Sequence, residues 1–265
     1  MSTPQSSRDP YTPQQIAQLV GQIGVMKAKL PMLSLLTLGM LAGAFIAFGG
    51  LFYTFAITGS ELGFGPTRML GGLAFSLGLI LVVVGGAELF TGNNSLVMAW
   101  AEYRVSAAAL LRNWALVYVA NFVGALLVVA LVLAAEVMAV VDGAVIKTAI
   151  SIAEQKIALD PVVAFSKGVL CNVFVCLAIW LCLASHSVSG KVLAIVFPIS
   201  AFVTLGLEHC VANMYLIPIG MWAASGAIDW PALAMNLLPV TLGNMLGGGV
   251  LVALVYWVVY LRVRT

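Results

Sequence analysis

The chain has 265 residues, of which 62% are hydrophobic and only 8% charged, with a mean hydropathy of +1.10. Soluble domains carry about 25% charged residues, so this composition excludes an ordinary water-facing surface and makes lipid the solvent of most of the chain. A net charge of +2 is too small for a nucleic-acid-binding face, and two histidines are too few for a haem chain or a multi-metal redox centre.

At the N-terminus no apolar core precedes Leu30, so nothing there reads as a cleavable signal peptide. Thr12-Pro13-Gln14-Gln15 has the form of a capping box with proline at the first helical position. Ile16, Val20 and Ile23 follow at helical spacing, which predicts a short amphipathic helix lying along the membrane surface. Residues 1–30 are therefore expected to form an N-terminal segment, and residues 31–265 the membrane domain.

About 20 residues of helix are needed to cross the hydrocarbon core. Six apolar segments qualify, at about 31–55, 69–101, 106–138, 161–184, 190–223 and 233–261. Alternating them across the bilayer collects Arg8, Lys27, Lys29, Arg104, Arg112, Lys191, Arg262 and Arg264 on the side of both termini. Only Arg68, Lys147, Lys156 and Lys167 remain for the other side. The positive-inside rule then predicts cytoplasmic termini in the plasma (inner) membrane. The four cysteines, Cys171, Cys176, Cys182 and Cys210, lie inside apolar runs without metal-ligand spacing and read as packing residues. No metal site or cofactor is expected.

The two halves echo each other. Glu88 and Asn93 recur as Glu208 and Asn213. Asn113, Asn121 and Gly124 recur as Asn236, Asn244 and Gly247, and Gly39, Leu41 and Phe45 as Gly168, Leu170 and Phe174. Three spans per half require copies of opposite orientation, so the expected fold is an all-α membrane protein of six helices in an inverted 3+3 repeat.

The second and fifth segments are longer than one crossing requires and carry glycine and polar residues at their centres: Gly85-Gly86, Glu88 and Gly92-Asn93-Asn94 in one, Gly206, Glu208 and His209 in the other. Backbone outside a helix is tolerated at that depth only where protein buries it or it lines a wet cavity. Both helices are thus expected to be interrupted, and the freed N–H groups and half-helix dipoles suit a small anion. Glu88 and Glu208 read as scaffold, each accepting N–H groups from its loop, with Asn93 and Asn213 beside them. His209 admits two readings: a histidine hydrogen-bonded between helices, or a proton-handling group facing Thr91 across the paired breaks. Around these polar positions lie the bulky apolar residues Phe75, Leu79, Leu89, Phe90, Val175 and Phe202.

Four stretches, Gly86-Ala-Glu-Leu-Phe-Thr-Gly-Asn93, Lys167 to Trp180, Glu208-His-Cys-Val-Ala-Asn-Met214 and Asn236-Leu-Leu-Pro-Val-Thr-Leu-Gly-Asn244, resemble signatures of the formate/nitrite transporter family, with a likeness extending from about residue 12 to 264. The resemblance implies an aquaporin-like protomer in a homopentamer, one path per protomer, carrying small weak-acid anions with protons and performing no enzymatic chemistry. It implies that Thr91 and His209 form the central site. Leu79, Leu89 and Phe90 then make the cytoplasmic constriction, and Phe75, Val175 and Phe202 the periplasmic one. Lys156, Asn172 and Asn213 attract or position the anion. Phe75 to Leu81, Ile23 to Lys29 and Tyr256 to Arg262 look most like formate channels, while Glu88 to Gly92 and Cys171-Asn172 fit nitrite-type members equally, with hydrosulfide a further alternative. A neutral-solute channel of the water or glycerol type is the distant alternative, and neither break carries its Asn-Pro-Ala motif. An obligate transporter with rocking motions is a second.

Overall fold

Terminal signals written into the sequence set where the helices begin. In the computed structural model, which describes residues 10–262, α1 (Pro13–Ala28) starts at Thr12, whose hydroxyl accepts from Gln15 N–H while the Gln15 side chain accepts from Thr12 N–H. α2 (Met32–Ile57) and α3 (Phe64–Gly85) follow, then a break, then the short helices α4 (Phe90–Asn93) and α5 (Val97–Ala101) joined by a 3-10 turn. α6 (Ala107–Ala134) is capped by Ser106, and α7 (Ala144–Ile157) lies before α8 (Pro161–Ala184), where Asp160 caps and Pro161 opens the helix. α9 (Val188–Thr204) and α10 (Cys210–Ser225) flank the second break, and α11 (Trp230–Met245), a π-helical stretch (Leu246–Leu254) and α12 (Val255–Tyr260) run on as one rod. Among the described residues there is no strand.

Five helical rods are long and apolar enough to cross a membrane, namely α2, α3, α6, α8 and the rod from Trp230 to Tyr260, and the shorter apolar α9 and α10 together make a sixth apolar segment. The chain is an integral membrane protein. α2 packs on α3 and α6, and α8 on α9 and α11, the same partnership in each half. Close approach requires glycine at equivalent points. A side chain on Gly124 would collide with the Met40 carbonyl, and one on Gly247 with the Val169 carbonyl.

Two expectations need revision. The apolar stripe of α1 is buried on the protein, in one cluster with Leu96, Met98, Ala99, Trp180 and Ala253, because this chain offers it an apolar surface of its own. The 14-residue α7 was not among the six segments, since Lys147, Glu154, Gln155 and Lys156 dilute its hydropathy while its apolar face (Val145, Ala149, Ala153) is buried. Of the basic residues sorted above, Arg8 and Arg264 lie outside the described residues.

Candidate functional site

Both breaks are built alike. α3 ends at Gly86, in the left-handed region at φ +82°, and the turn after α9 passes through Gly206 at φ +67°. In each case the glutamate stands two residues further on. Glu88 N–H donates to the Leu38 carbonyl and Glu208 N–H to the Lys167 carbonyl, which stitches the breaks to α2 and α8. Two residues beyond each glutamate, the N–H groups of Phe90 and Cys210 donate to the side-chain oxygens of Asn121 and Asn244, at 2.9 Å each. Nδ2 of Asn121 donates to the carbonyls of Gly39 and Glu88, and Nδ2 of Asn244 to those of Gly168 and Glu208. The residues whose recurrence marked a duplication in the sequence therefore make the same bonds in both halves.

The glutamates are neutralised in parallel fashion. Lys27 Nζ lies 3.0 Å from Glu88 and Lys156 Nζ 2.8 Å from Glu208. Asn93 donates to Glu88 at 2.7 Å and Asn213 to Glu208 at 2.6 Å, and each asparagine also donates to a second one, Asn113 or Asn236. Those in turn donate to the backbone carbonyls of Lys27 and Lys156. A nearly buried carboxylate is costly unless paired and hydrogen-bonded, and here every element of the pairing is supplied. The side-chain oxygens take Lys and Asn donors, while loop N–H groups go to Asn121 and Asn244. The expectation that the glutamates themselves gather the loop N–H groups is corrected on this point.

The two breaks meet at Thr91 and His209. Thr91 Oγ1 lies 2.9 Å from His209 Nε2, with both residues buried. His209 is the N-cap of α10, and its Nδ1 accepts the Ala212 N–H at 3.0 Å. Nδ1 is thus an acceptor, which puts the hydrogen of the neutral ring on Nε2, donating to Thr91. The Thr91 hydroxyl hydrogen is left to turn elsewhere. The Thr91 carbonyl is covered by Asn94 and Asn172, and Asn172 also donates to the Asn244 carbonyl.

Two cavities approach this pair. One, of ≈ 120 Å³, is lined by Arg68, Phe75, Lys156, Lys167, Phe202 and His209 among others. The other, of ≈ 450 Å³, is lined by α1 residues including Ile23 and Lys27 with Val83, Leu89 and Gly92. Arg68 and Val83 lie on the same helix α3, and a rise of 1.5 Å per residue separates them by about 22 Å. The cavities therefore open near opposite ends of α3. Gly92, adjacent to Thr91, lines one and His209 the other, so the Thr91–His209 bond stands between them. On the His209 side the Phe202 ring is stacked 6.1 Å from the imidazole and meets Phe75 edge-on at 5.8 Å.

The model of the formate/nitrite transporter family matches residues 14–258. The chain belongs to this family. It is 38% identical over 273 residues to the formate channel FocA of Escherichia coli (strain K12), covering 96% of each chain, and 40% identical over 269 residues to a probable formate transporter of Methanothermobacter thermautotrophicus, covering 95% of this chain and 97% of that one. Among solved structures it resembles a pentameric formate channel with formate bound, at TM-score 0.80 and 37% identity over 87% of this chain and 98% of that one. It also resembles an ion channel of the same family, at TM-score 0.84 and 29% identity over 92% and 98%.

In this family member the structure brings Phe75, Phe202, Lys156, Asn213 and His209 to one cavity and Leu89, Glu88 and Asn93 to the other. Leu79, Phe90 and Val175 are buried in the main apolar core and line neither; the Phe90 ring lies edge-on to Trp114 and Tyr118 of α6. Lys27 belongs to the site although sequence reasoning left it among the basic residues of the N-terminal side. The available signal was its place in the repeat: Lys27 stands just before α2 as Lys156 stands just before α8.

Proposed function

We propose that the chain is a channel for formate, passing the anion between the two cavities through the Thr91–His209 pair, in a homopentamer with one path per protomer. The observation that carries the reading is the buried 2.9 Å contact between these side chains, standing between cavities at opposite ends of α3. The formate channels among its relatives, and the solved pentamer with formate bound, support the substrate and the assembly. The duplicated networks support six spans in two oppositely oriented halves, and the distribution of basic residues supports plasma-membrane residence with both termini cytoplasmic. The Arg68 cavity then faces outward.

Passage of a bare carboxylate between Phe75 and Phe202 is opposed by desolvation, which costs several kcal/mol per ion. A carboxylic acid of pKa roughly 3.7 is neutralised at pH 7 for about 4–5 kcal/mol. Sharing a proton at the central pair lowers that cost. The Nε2 hydrogen passes toward the anion by way of the Thr91 hydroxyl while a solvent proton enters the ring at Nδ1. The ring gives up the Ala212 N–H bond for the duration; loss of the Nδ1 proton to solvent and uptake of another at Nε2 restore the starting tautomer, after which Nδ1 again accepts from Ala212. In liposomes, formate flux through the native protein should rise as the pH falls from 7.5 to 5.5. His209→Phe should abolish the rise. An unchanged pH profile in the variant would overturn the proton-handling role. Nitrite is also the anion of a weak acid, so it is expected to follow the same path, and competition between the two anions measures the preference.

A further inference from the structure

The cavity that His209 lines is unlike its counterpart in charge. Arg68, Lys156 and Lys167 line it against a single carboxylate, Glu208, which Lys156 already pairs at 2.8 Å. In the cavity beneath α1 the charges are Lys27 and Glu88, which pair with each other. Two cations on the His209 side therefore lack a carboxylate among the described residues. Arg68 is the more unusual of them. Its guanidinium carries five N–H donors and makes no hydrogen bond or ion pair among the described residues, and its Nε is withdrawn from solvent without a partner there. What holds it is packing: Cζ lies 5.5 Å above the Phe64 ring, and Nη2 lies against Gly206, where an added Cβ would come within 2.6 Å.

The position suits a purpose. Arg68 and Phe75 are seven residues apart on α3, so they share a face, with Arg68 about 10 Å further out. An unsatisfied donor array thus stands at the mouth of the cavity, outside the Phe75–Phe202 pair. A planar fork of N–H groups matches a planar anion with two oxygens, bonding both at once, whereas an ammonium offers only a point charge. Narrow cavities of one sign also raise the local concentration of counter-ions.

We infer that Arg68, with Lys167 beside it, is an entry subsite that captures planar two-oxygen anions before they reach Phe75 and Phe202, and so sets the concentration dependence and part of the anion preference of transport. The inference rests on the channel reading above. Its test is flux into proteoliposomes over a formate concentration series, with hydrosulfide as a competing anion that offers one contact atom. Arg68→Gln should raise the half-saturating formate concentration by about tenfold, the equivalent of one charge-assisted hydrogen bond, with the maximal flux nearly retained. Arg68→Lys should keep most of the attraction and its salt sensitivity but lose the preference for formate over hydrosulfide. Equal half-saturation and equal anion preference in both variants would overturn the inference. So would a fall in thermal stability and maximal flux at unchanged half-saturation, which is the signature of a guanidinium that merely packs the turn after α9. Saturation-transfer NMR of ¹³C-formate on the detergent-purified protein separates the two readings. Formate bound by the native protein and lost in Arg68→Gln supports the entry subsite even if no flux is seen, whereas absent flux in the native protein counts against the channel.

Discussion

Asn121 and Asn244 do at each break what no backbone group can do there. Each side-chain oxygen takes an N–H of the interrupted strand of backbone, Phe90 or Cys210, and each amide nitrogen returns a hydrogen bond to the glutamate carbonyl. Leucine is close in shape to asparagine but leaves that N–H unpaired in a dry interior, at a cost of about 1–3 kcal/mol. Asn121→Leu and Asn244→Leu should therefore lower thermal stability in detergent by similar amounts, read as the unfolding midpoint. A large loss at one position with none at the other would mean the breaks are not energetically equivalent. His209 shows the same economy on a different side: one ring nitrogen caps the start of α10 and the other meets Thr91 of the opposite break.

At the scale of elements, the decisive feature is how α3 and α9 stop. Both are followed by a glycine with positive φ, a conformation that costs an L-residue about 1–2 kcal/mol. At Gly86 an added Cβ meets nothing within 4 Å, while at Gly206 it meets the Arg68 guanidinium. Gly86→Ala should register backbone strain alone, and Gly206→Ala should destabilise further. Adding Arg68→Ala to Gly206→Ala should remove the excess; persistence of the excess would place the collision elsewhere. The pairing of α1 with α7 belongs to this scale as well. Each ends in a lysine region whose backbone carbonyl accepts from an asparagine and whose ammonium meets a glutamate, although only α7 adjoins the Arg68 cavity.

The whole molecule presents large apolar side chains outward, among them Phe197 at 74% and Leu131 at 66% exposure. Lipid covers some of this surface and sister chains cover the rest in the proposed homopentamer. Native mass spectrometry from mild detergent should show a mass of five chains of 27.8 kDa; a monomer that still conducts formate would refute the requirement for assembly. The contrast between cavities is also a property of the whole. One mouth carries unpaired positive charge and the other balances its single ion pair, so under the proposed function capture of the anion is expected to be stronger from the Arg68 side at low concentration.

Much of this was legible before any coordinates. Apolar segments of spanning length, charge scarcity and the recurrence of Gly39, Asn113 and Asn121 as Gly168, Asn236 and Asn244 depend on composition and order, which a linear reading measures directly. So do the capping box at Thr12 and the glycines that end α3 and α9. The rest required the chain to be folded. α7 escaped because amphipathic burial leaves no hydropathy peak, and Lys27 because its partner lies 61 positions away in the break after α3. The tautomer of His209 and the orphaned Nε of Arg68 each depend on which groups meet in the folded chain. The sequence by itself determined that this is a membrane protein with two broken helices; only tertiary packing decided which groups satisfy the donors of those breaks, because a hydrogen bond is set by distance and direction in space.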